Sequence, residues 1–516
     1  MRVGHAVVRH LNSSLHTALP RGVAVNKAQV GPSAGFEPSE NLARTEALQF
    51  EIPNDAGRIF LGVLDATMEK ERLPDGRVER RAVGGRAIGV PDDRHIMTIA
   101  GSRAGKGRSV IVPNLLTYPG SVLAIDPKGD LAALTADWRA DVLGQRVIVL
   151  DPFGVAGAVT QRHAGQFNPL SILRKKSPSL IEDAGLIADA LVIPAPGAKD
   201  PHWDESAKQF LEGVIIHVAT APDYEGRRDL VSVYECLMEE TERLKSEMAE
   251  NDAEDFAVVT LASHFFDKAE AERSSVLSTL RRHIRFLGYS QIKNVLRGNT
   301  FNLEQLKTEN LTVYLSLPAM RMGTCARWLR LFVNLTLAAM EMEKLKPRHP
   351  VLLCLDEFAT LGTMKTLEDA AGQIAGLGCK LWPILQDLGQ LQALYEKRWE
   401  TFIGNAGVLQ FFGNSDMGTL EWISKRLGTT TIRTESQNQP GYNQRAGEGV
   451  TGQSFSEQVH PLLTAEEISR FFGRDDKFLR QLIIRPTWAP MILQRVYYDQ
   501  HELFADYRRF MAELSP

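Results

Sequence analysis

The stretch Arg94-His95-Ile96-Met97-Thr98-Ile99-Ala100-Gly101-Ser102-Arg103-Ala104-Gly105-Lys106-Gly107-Arg108-Ser109 runs from apolar residues into a loop of small residues around a lysine. Residues 96–99 read as a strand, and 100–107 as a phosphate-binding loop that opens a helix. A nucleoside triphosphate is held mostly by backbone N–H groups, so small residues let the backbone close around the phosphates while the helix adds the positive end of its dipole. On this reading Gly101, Ser102, Arg103, Ala104, Gly105, Lys106, Gly107 and Arg108 surround the phosphates, and Lys106 brings a point charge to the β and γ oxygens. Two positions depart from the P-loop pattern. Ala100 stands at its first glycine, and Gly107 at the hydroxyl residue that binds Mg²⁺.

A second stretch supports the first. Val351-Leu352-Leu353-Cys354-Leu355 is a continuous apolar run, as expected of a strand buried on both faces, and it ends in Asp356-Glu357. A carboxylate at Asp356 can hold Mg²⁺, directly or through water, and Glu357 can accept a proton from the water that attacks the γ-phosphate. Taken singly, the two acids also fit a solvated turn and Lys106 an ordinary loop lysine. Both motifs in one chain, each behind an apolar run, favour nucleotide binding.

Composition sets limits on the rest. Apolar content of 44% and charged content of 24% over 516 residues describe an ordinary globular chain able to bury a large core. The net charge of -4 gives no overall attraction to nucleic acid, so a DNA contact has to come from a local basic surface or channel loops. Cys236, Cys325, Cys354 and Cys379 lack metal-ligand spacing and read as buried reduced thiols of a cytoplasmic protein. No window reaches the length of apolar sequence a spanning helix needs. Residues 1–48 read as a flexible basic segment: no acid precedes Glu37, and Val3, Val7, Leu11 and Leu15 recur every four residues. That spacing fits a short amphipathic helix on a membrane surface or partner, or a disordered tail.

Along the chain, strands at 121–125 and 146–150 alternate with helix, the rhythm of an α/β fold with a mostly parallel sheet. We place the first part of a nucleotide-binding domain at 49–178, an inserted all-α domain at 179–306 and the second part at 307–516. Pro113 is expected to end or kink the helix behind Lys106 early. Within the inserted segment an acidic run (234–255) and a basic run (273–297) read either as solvated helix faces or, for the basic run, as a contact for DNA or a substrate protein. Gln386 ends a strand at 381–385 and is either a γ-phosphate sensor or a helix-capping residue. Residues 429–458 are rich in Gln, Asn, Gly, Ser and Thr and read as a long exposed loop.

With these residues in hand the chain resembles the TraG/TraD-type coupling proteins of conjugation and type IV secretion. The likeness is carried by AGSRAGKGRSVIVPNLLTYPGSVLAIDPKGDL, FNPL at 167–170, HWDESAKQFLEGVIIH at 202–217, LDEFATLG at 355–362, LQDLGQLQALYEKRWETFIGNAG at 385–407 and HPLLTAEEI at 460–468. The resemblance implies a RecA-like P-loop ATPase that uses ATP and Mg²⁺ and is interrupted by the all-α domain. It also implies a homo-hexameric ring that recruits relaxase-bound single-stranded DNA or effector proteins to inner-membrane components of the secretion channel. Carried over by position, Lys106 is the Walker A lysine, Asp356 the Mg²⁺-associated carboxylate, Glu357 the general base and Gln386 the sensor. A ring motor usually has an arginine acting from the neighbouring subunit, which stabilises the charge on the transferring phosphoryl group. Residues 363–380, where some relatives carry it, contain none; Arg398 reads either as the substitute or, equally, as a salt-bridged surface arginine. Most of the family carries N-terminal spanning helices, and this sequence departs from that pattern in showing none, so the chain is expected to be cytoplasmic, either docked peripherally at the inner membrane on a separate membrane protein or serving a soluble role. Two other functions remain open: a nucleotide-switched recruitment adaptor with little turnover, and a soluble DNA translocase of the FtsK/HerA kind.

Overall fold

The computed structural model describes residues 34–72, 78–173, 179–194, 202–437 and 453–514. The apolar runs become the strands of one large sheet. In chain order the strands are β1 (Ile59–Leu64), β2 (Thr67–Arg72), β3 (Val78–Val83), β4 (Arg86–Val90), β5 (His95–Ala100), β6 (Val122–Asp126), β7 (Arg146–Leu150), β8 (Leu311–Ser316), β9 (Val351–Leu355), β10 (Cys379–Leu385), β11 (Ala406–Phe412), β12 (Thr429–Gln437), β13 (Gln453–Pro461), β14 (Arg480–Ile484) and β15 (Met491–Gln494). Eleven of them form the sheet in the order β4-β1-β15-β14-β11-β5-β10-β9-β6-β8-β7. From β11 to β7 all neighbours are parallel, whereas β14, β15, β1 and β4 extend the sheet as an antiparallel wing.

Side chains alternate across the sheet, so each parallel strand feeds two cores. Met97, Ile99, Leu123, Ile125, Leu353 and Leu355 join one core, while Ile96, Ala100, Val122, Ala124, Leu352 and Cys354 join the other. Both faces need cover, which is why the runs read as continuously apolar. One face is covered by the helix Met322–Met342 and the helices between β7 and β8, and the other by Val112–Thr117, Asp130–Asp141 and Ala505–Leu514. The chain leaves the sheet at Leu150 and returns at Leu311; the regular elements described between them are helices. Phe210 of the helix His202–Thr220 stacks on Phe265 at 3.7 Å, and His283 meets Asp204 at 2.8 Å inside this helical layer. The basic run partly pairs within the layer, with Lys293 and Arg297 at 3.3 and 3.5 Å from Glu235.

Three features differ from the sequence reading. Residues 34–48, read above as part of a flexible segment, are built into the fold: a helix at Ser39–Arg44 and a turn at Glu46–Leu48 bury Leu42 and Leu48, and Ala34 and Glu37 donate to the carbonyls of Thr429 and Pro490. The basic residues and apolar spacing of 1–33 lie outside the described residues. The flanks of the stretch 429–458 form a strand pair, β12 antiparallel with β13 from Thr429↔Pro461 to Gln437↔Gln453, while 438–452 lie outside the described residues. Their threonines and alternating polar residues suit a strand pair apart from the main sheet, so composition alone resembles a loop. Third, the helix behind Lys106 continues through Pro113 to Thr117. It begins as a π turn, Gly107–Ile111, in which Val112 N–H donates to Gly107 O. The next carbonyl, on Arg108, has its five-residue partner at Pro113, which lacks an N–H; Tyr498 N–H donates to it instead at 3.3 Å.

Candidate nucleotide site

Strand order assembles the site. β10 lies between β5 and β9 and is parallel to both, so the carboxyl ends of three adjacent strands bring together 101–106, Gln386 and Asp356-Glu357. Ligands of parallel α/β sheets collect at that edge. The loop itself is shaped for an anion. Arg103 (φ 56°) and Gly105 (φ 88°) are left-handed between residues of negative φ, an alternation that turns successive N–H groups into one concavity. Gly101 is fixed by close approach: a Cβ there would lie 1.8 Å from Gly413 O, and Gly101 N–H donates to Phe412 O. β11 and its following turn therefore brace the loop from the side.

Lys106 reaches both acids, with Nζ 2.7 Å from Glu357 Oε1 and 3.3 Å from Asp356 Oδ1. Burial works against its charge, but Asp356 and then Glu357 hold the ammonium above its ordinary range. Burial pushes the Asp356 carboxyl up, against the pull of Lys106. Glu357 adopts a left-handed φ of 52°, which aims its side chain back across the strand ends, and Gln386 Nε2 donates to its Oε2 at 3.2 Å. Behind the acids, Arg330 Nη1 donates to the carbonyls of Leu361 and Thr363, both at 2.7 Å, and fixes the turn that follows Glu357.

The structure thus brings Lys106, Asp356, Glu357 and Gln386 into one connected cluster. Arg398 is placed elsewhere, 60% exposed and ion-paired with Glu368 and Asp369. Arg108 is engaged by other side chains: it pairs with Glu79 and Asp499, both at 2.6 Å, and lies 4.2 Å from the Tyr497 ring. Two participants had no sequence signal. Asn414 Nδ2 donates to Gln386 O at 3.1 Å, and Arg495 Nη1 donates to Ala104 O at 2.5 Å. Both come from segments remote in sequence with no motif around them.

The loop, lysine, paired acids and strand order define a P-loop fold of the RecA type. Its overall architecture matches the bacterial conjugative coupling protein TrwB, unbound form, with a TM-score of 0.64 and 14% identity, covering 90% of this chain and 93% of that one. TrwB in complex with ADP and Mg²⁺ matches with a TM-score of 0.58 at 16% identity, over 85% of this chain and 95% of that one. The chain belongs to the type IV secretory system conjugative DNA transfer family, whose pattern it matches over residues 63–515. Among individual relatives, it is 29% identical over 399 residues to a conjugal transfer protein TraG of Escherichia coli, covering 73% of this chain and 62% of that protein. It is 26% identical over 416 residues to protein VirD4 of Agrobacterium fabrum, covering 78% and 58% respectively. The chain therefore spans about three fifths of the length of these relatives. Among the described residues no helix is long and apolar enough to cross a membrane.

Proposed function

We propose that this chain is an ATP-hydrolysing coupling protein that recruits relaxase-bound single-stranded DNA or effector proteins to a type IV secretion channel, working as a hexameric ring at the inner membrane. The observation that carries it is the cluster of Lys106, Asp356, Glu357 and Gln386 at three adjacent strand ends in a chain of this family. The residues fit ATP with Mg²⁺: the concave 101–107 backbone and Lys106 suit phosphates, and the largely buried Asp356 suits a cation or its water shell. Bound Mg²⁺ supplies neutralisation of charge on the β and γ oxygens. Lys106 exchanges its carboxylate partners for phosphate, which releases Glu357 to take a proton from water at Oε1. Gln386, held by Asn414, keeps Oε2 in place meanwhile. Gly107 supplies no hydroxyl, so cation binding rests on Asp356 and water. Arg398 is the proposed trans arginine, which in a ring leaves Glu368 and Asp369 for the neighbour's site.

Steady-state ATPase activity with and without single-stranded and double-stranded DNA tests this, beside Glu357→Gln and Lys106→Ala. DNA-stimulated turnover is expected, lost by at least about 100-fold in Glu357→Gln with nucleotide binding retained, and lost together with binding in Lys106→Ala. Normal turnover in Glu357→Gln refutes the base assignment. Tight ATP binding with no turnover under any condition refutes the motor in favour of a nucleotide-switched adaptor.

A further inference from the structure

Beneath the phosphate loop lies a buried cation, Arg495, most of whose donors are unspent. Arg495 follows β15, is 1% exposed, and places its guanidinium carbon 4.4 Å from the centre of the Phe412 ring. One donor, Nη1, is given to Ala104 O, while Nε and Nη2 have no hydrogen-bond partner. Among the described residues it forms no ion pair with a carboxylate. Arg139, equally buried, differs: its donors go to Thr312, Gln145 and the carbonyls of Leu115, Tyr118 and Gly120. A buried guanidinium with unspent donors and no direct ion-pair partner is costly: burial depresses its pKa, and the nearby charge of Asp476, itself paired with Arg480, offsets only part of this.

The position of this charge points to a use for it. Ala104 O belongs to the peptide whose N–H is that of Gly105, in the middle of the phosphate loop. A charged donor on that carbonyl polarises the peptide and makes the Gly105 N–H a stronger donor on the opposite side. The loop rests directly on this support: a Cβ on Gly105 would lie 3.9 Å from Arg495 Nη1 and 3.7 Å from the Tyr497 ring.

We propose that Arg495 is a positioning residue for nucleotide phosphate, its charge transmitted through the Ala104–Gly105 peptide and compensated by the phosphate anion that this peptide binds. The inference rests on the nucleotide-binding reading above and adds a residue from the far end of the chain to it. It separates two quantities that a merely structural arginine changes together. Removing the charge relieves a burial cost in the free protein and removes attraction in the bound one.

The test uses the full chain with Arg495→Met, Arg495→Gln and Arg495→Lys, measuring ADP affinity by calorimetry and melting temperature with and without saturating ADP. Arg495→Met is expected to melt no lower than wild type without nucleotide, to bind ADP about tenfold or more weakly, and to lose most of the ADP-induced rise in melting temperature. Arg495→Lys is expected to bind more tightly than Arg495→Gln, and the loss in Arg495→Met is expected in KM for ATP with kcat little changed. Wild-type affinity in Arg495→Met or Arg495→Gln overturns the proposal. Failure of both uncharged variants to fold also overturns it, since the charge then serves the fold. If wild type itself binds no ADP, the nucleotide reading falls first, and that result is distinguishable from the others.

Discussion

Lys106 is held between two carboxylates, so in the proposed function a phosphate has to displace an ion pair that the protein already satisfies. Affinity then depends on what else stabilises the bound cation and anion, and here Gly107 matters. A Cβ at Gly107 meets nothing within 4 Å, so space for a side chain exists where the P-loop pattern has its hydroxyl. Gly107→Ser is expected to leave the melting temperature unchanged or slightly higher, since serine is a better helix residue than glycine by a few tenths of a kcal/mol. It is also expected to lower the Mg²⁺ concentration needed for half-maximal ATP binding. A Mg²⁺ titration of nucleotide affinity checks this; an unchanged midpoint shows that the cation is held out of reach of position 107. At this scale the motif residues were legible because strand, loop and charge follow one another within a few residues. Asn414 and Arg495 were not, because each reaches the site from a different part of the sheet.

The helix behind the phosphate loop shows how an element depends on its neighbours. Pro113 disfavours a helix locally, yet the π turn and the Tyr498 N–H accommodate its missing donor. Asn114 does the rest: it is 0% exposed, accepts Phe60 N–H at 2.8 Å, and donates to Phe60 O and Val110 O at 2.9 Å. It thereby replaces a strand partner for β1 and ties the antiparallel wing to the phosphate-loop helix. Asn114→Ala leaves several buried backbone groups unpaired and is expected to cost about 3 kcal/mol, read as a lower urea midpoint at unchanged m-value. A loss below about 0.5 kcal/mol refutes the role assigned to this side chain. The same dependence made the β12–β13 pair look like loop, since its pairing lies outside the main sheet and leaves no apolar run to read.

Across the molecule, the end of the sheet opposite the nucleotide site is clamped by charge. Asp92, just before β5, is 2.6 Å from Arg94 and 3.4 Å from Arg485, which follows β14. Burial alone would raise its carboxyl, but the hydrogen bonds from Arg94 and the charge of Arg485 bring it down to about 2 from 3.8. With a folded value below the unfolded one, this contribution is complete above pH 3.8 and is lost as pH falls from there to about 2. Asp92→Asn is expected to lower the melting temperature at neutral pH and to flatten its fall between about pH 5 and pH 2. Parallel melting curves for wild type and variant across that range contradict the clamp.

By itself the sequence determined the α/β class, the phosphate loop, the paired acids and the family, because these are written in contiguous residues whose chemistry is local. Tertiary structure alone decided that β10 lies between β5 and β9, which puts Gln386 against Glu357, and that β14, β15, β1 and β4 extend the sheet in the opposite sense. It also decided that Arg108 turns to Asp499 while Arg495 comes to lie under Ala104. Strand order and buried polar partners are set by which surfaces pack across hundreds of residues, and no local pattern of side chains encodes that choice.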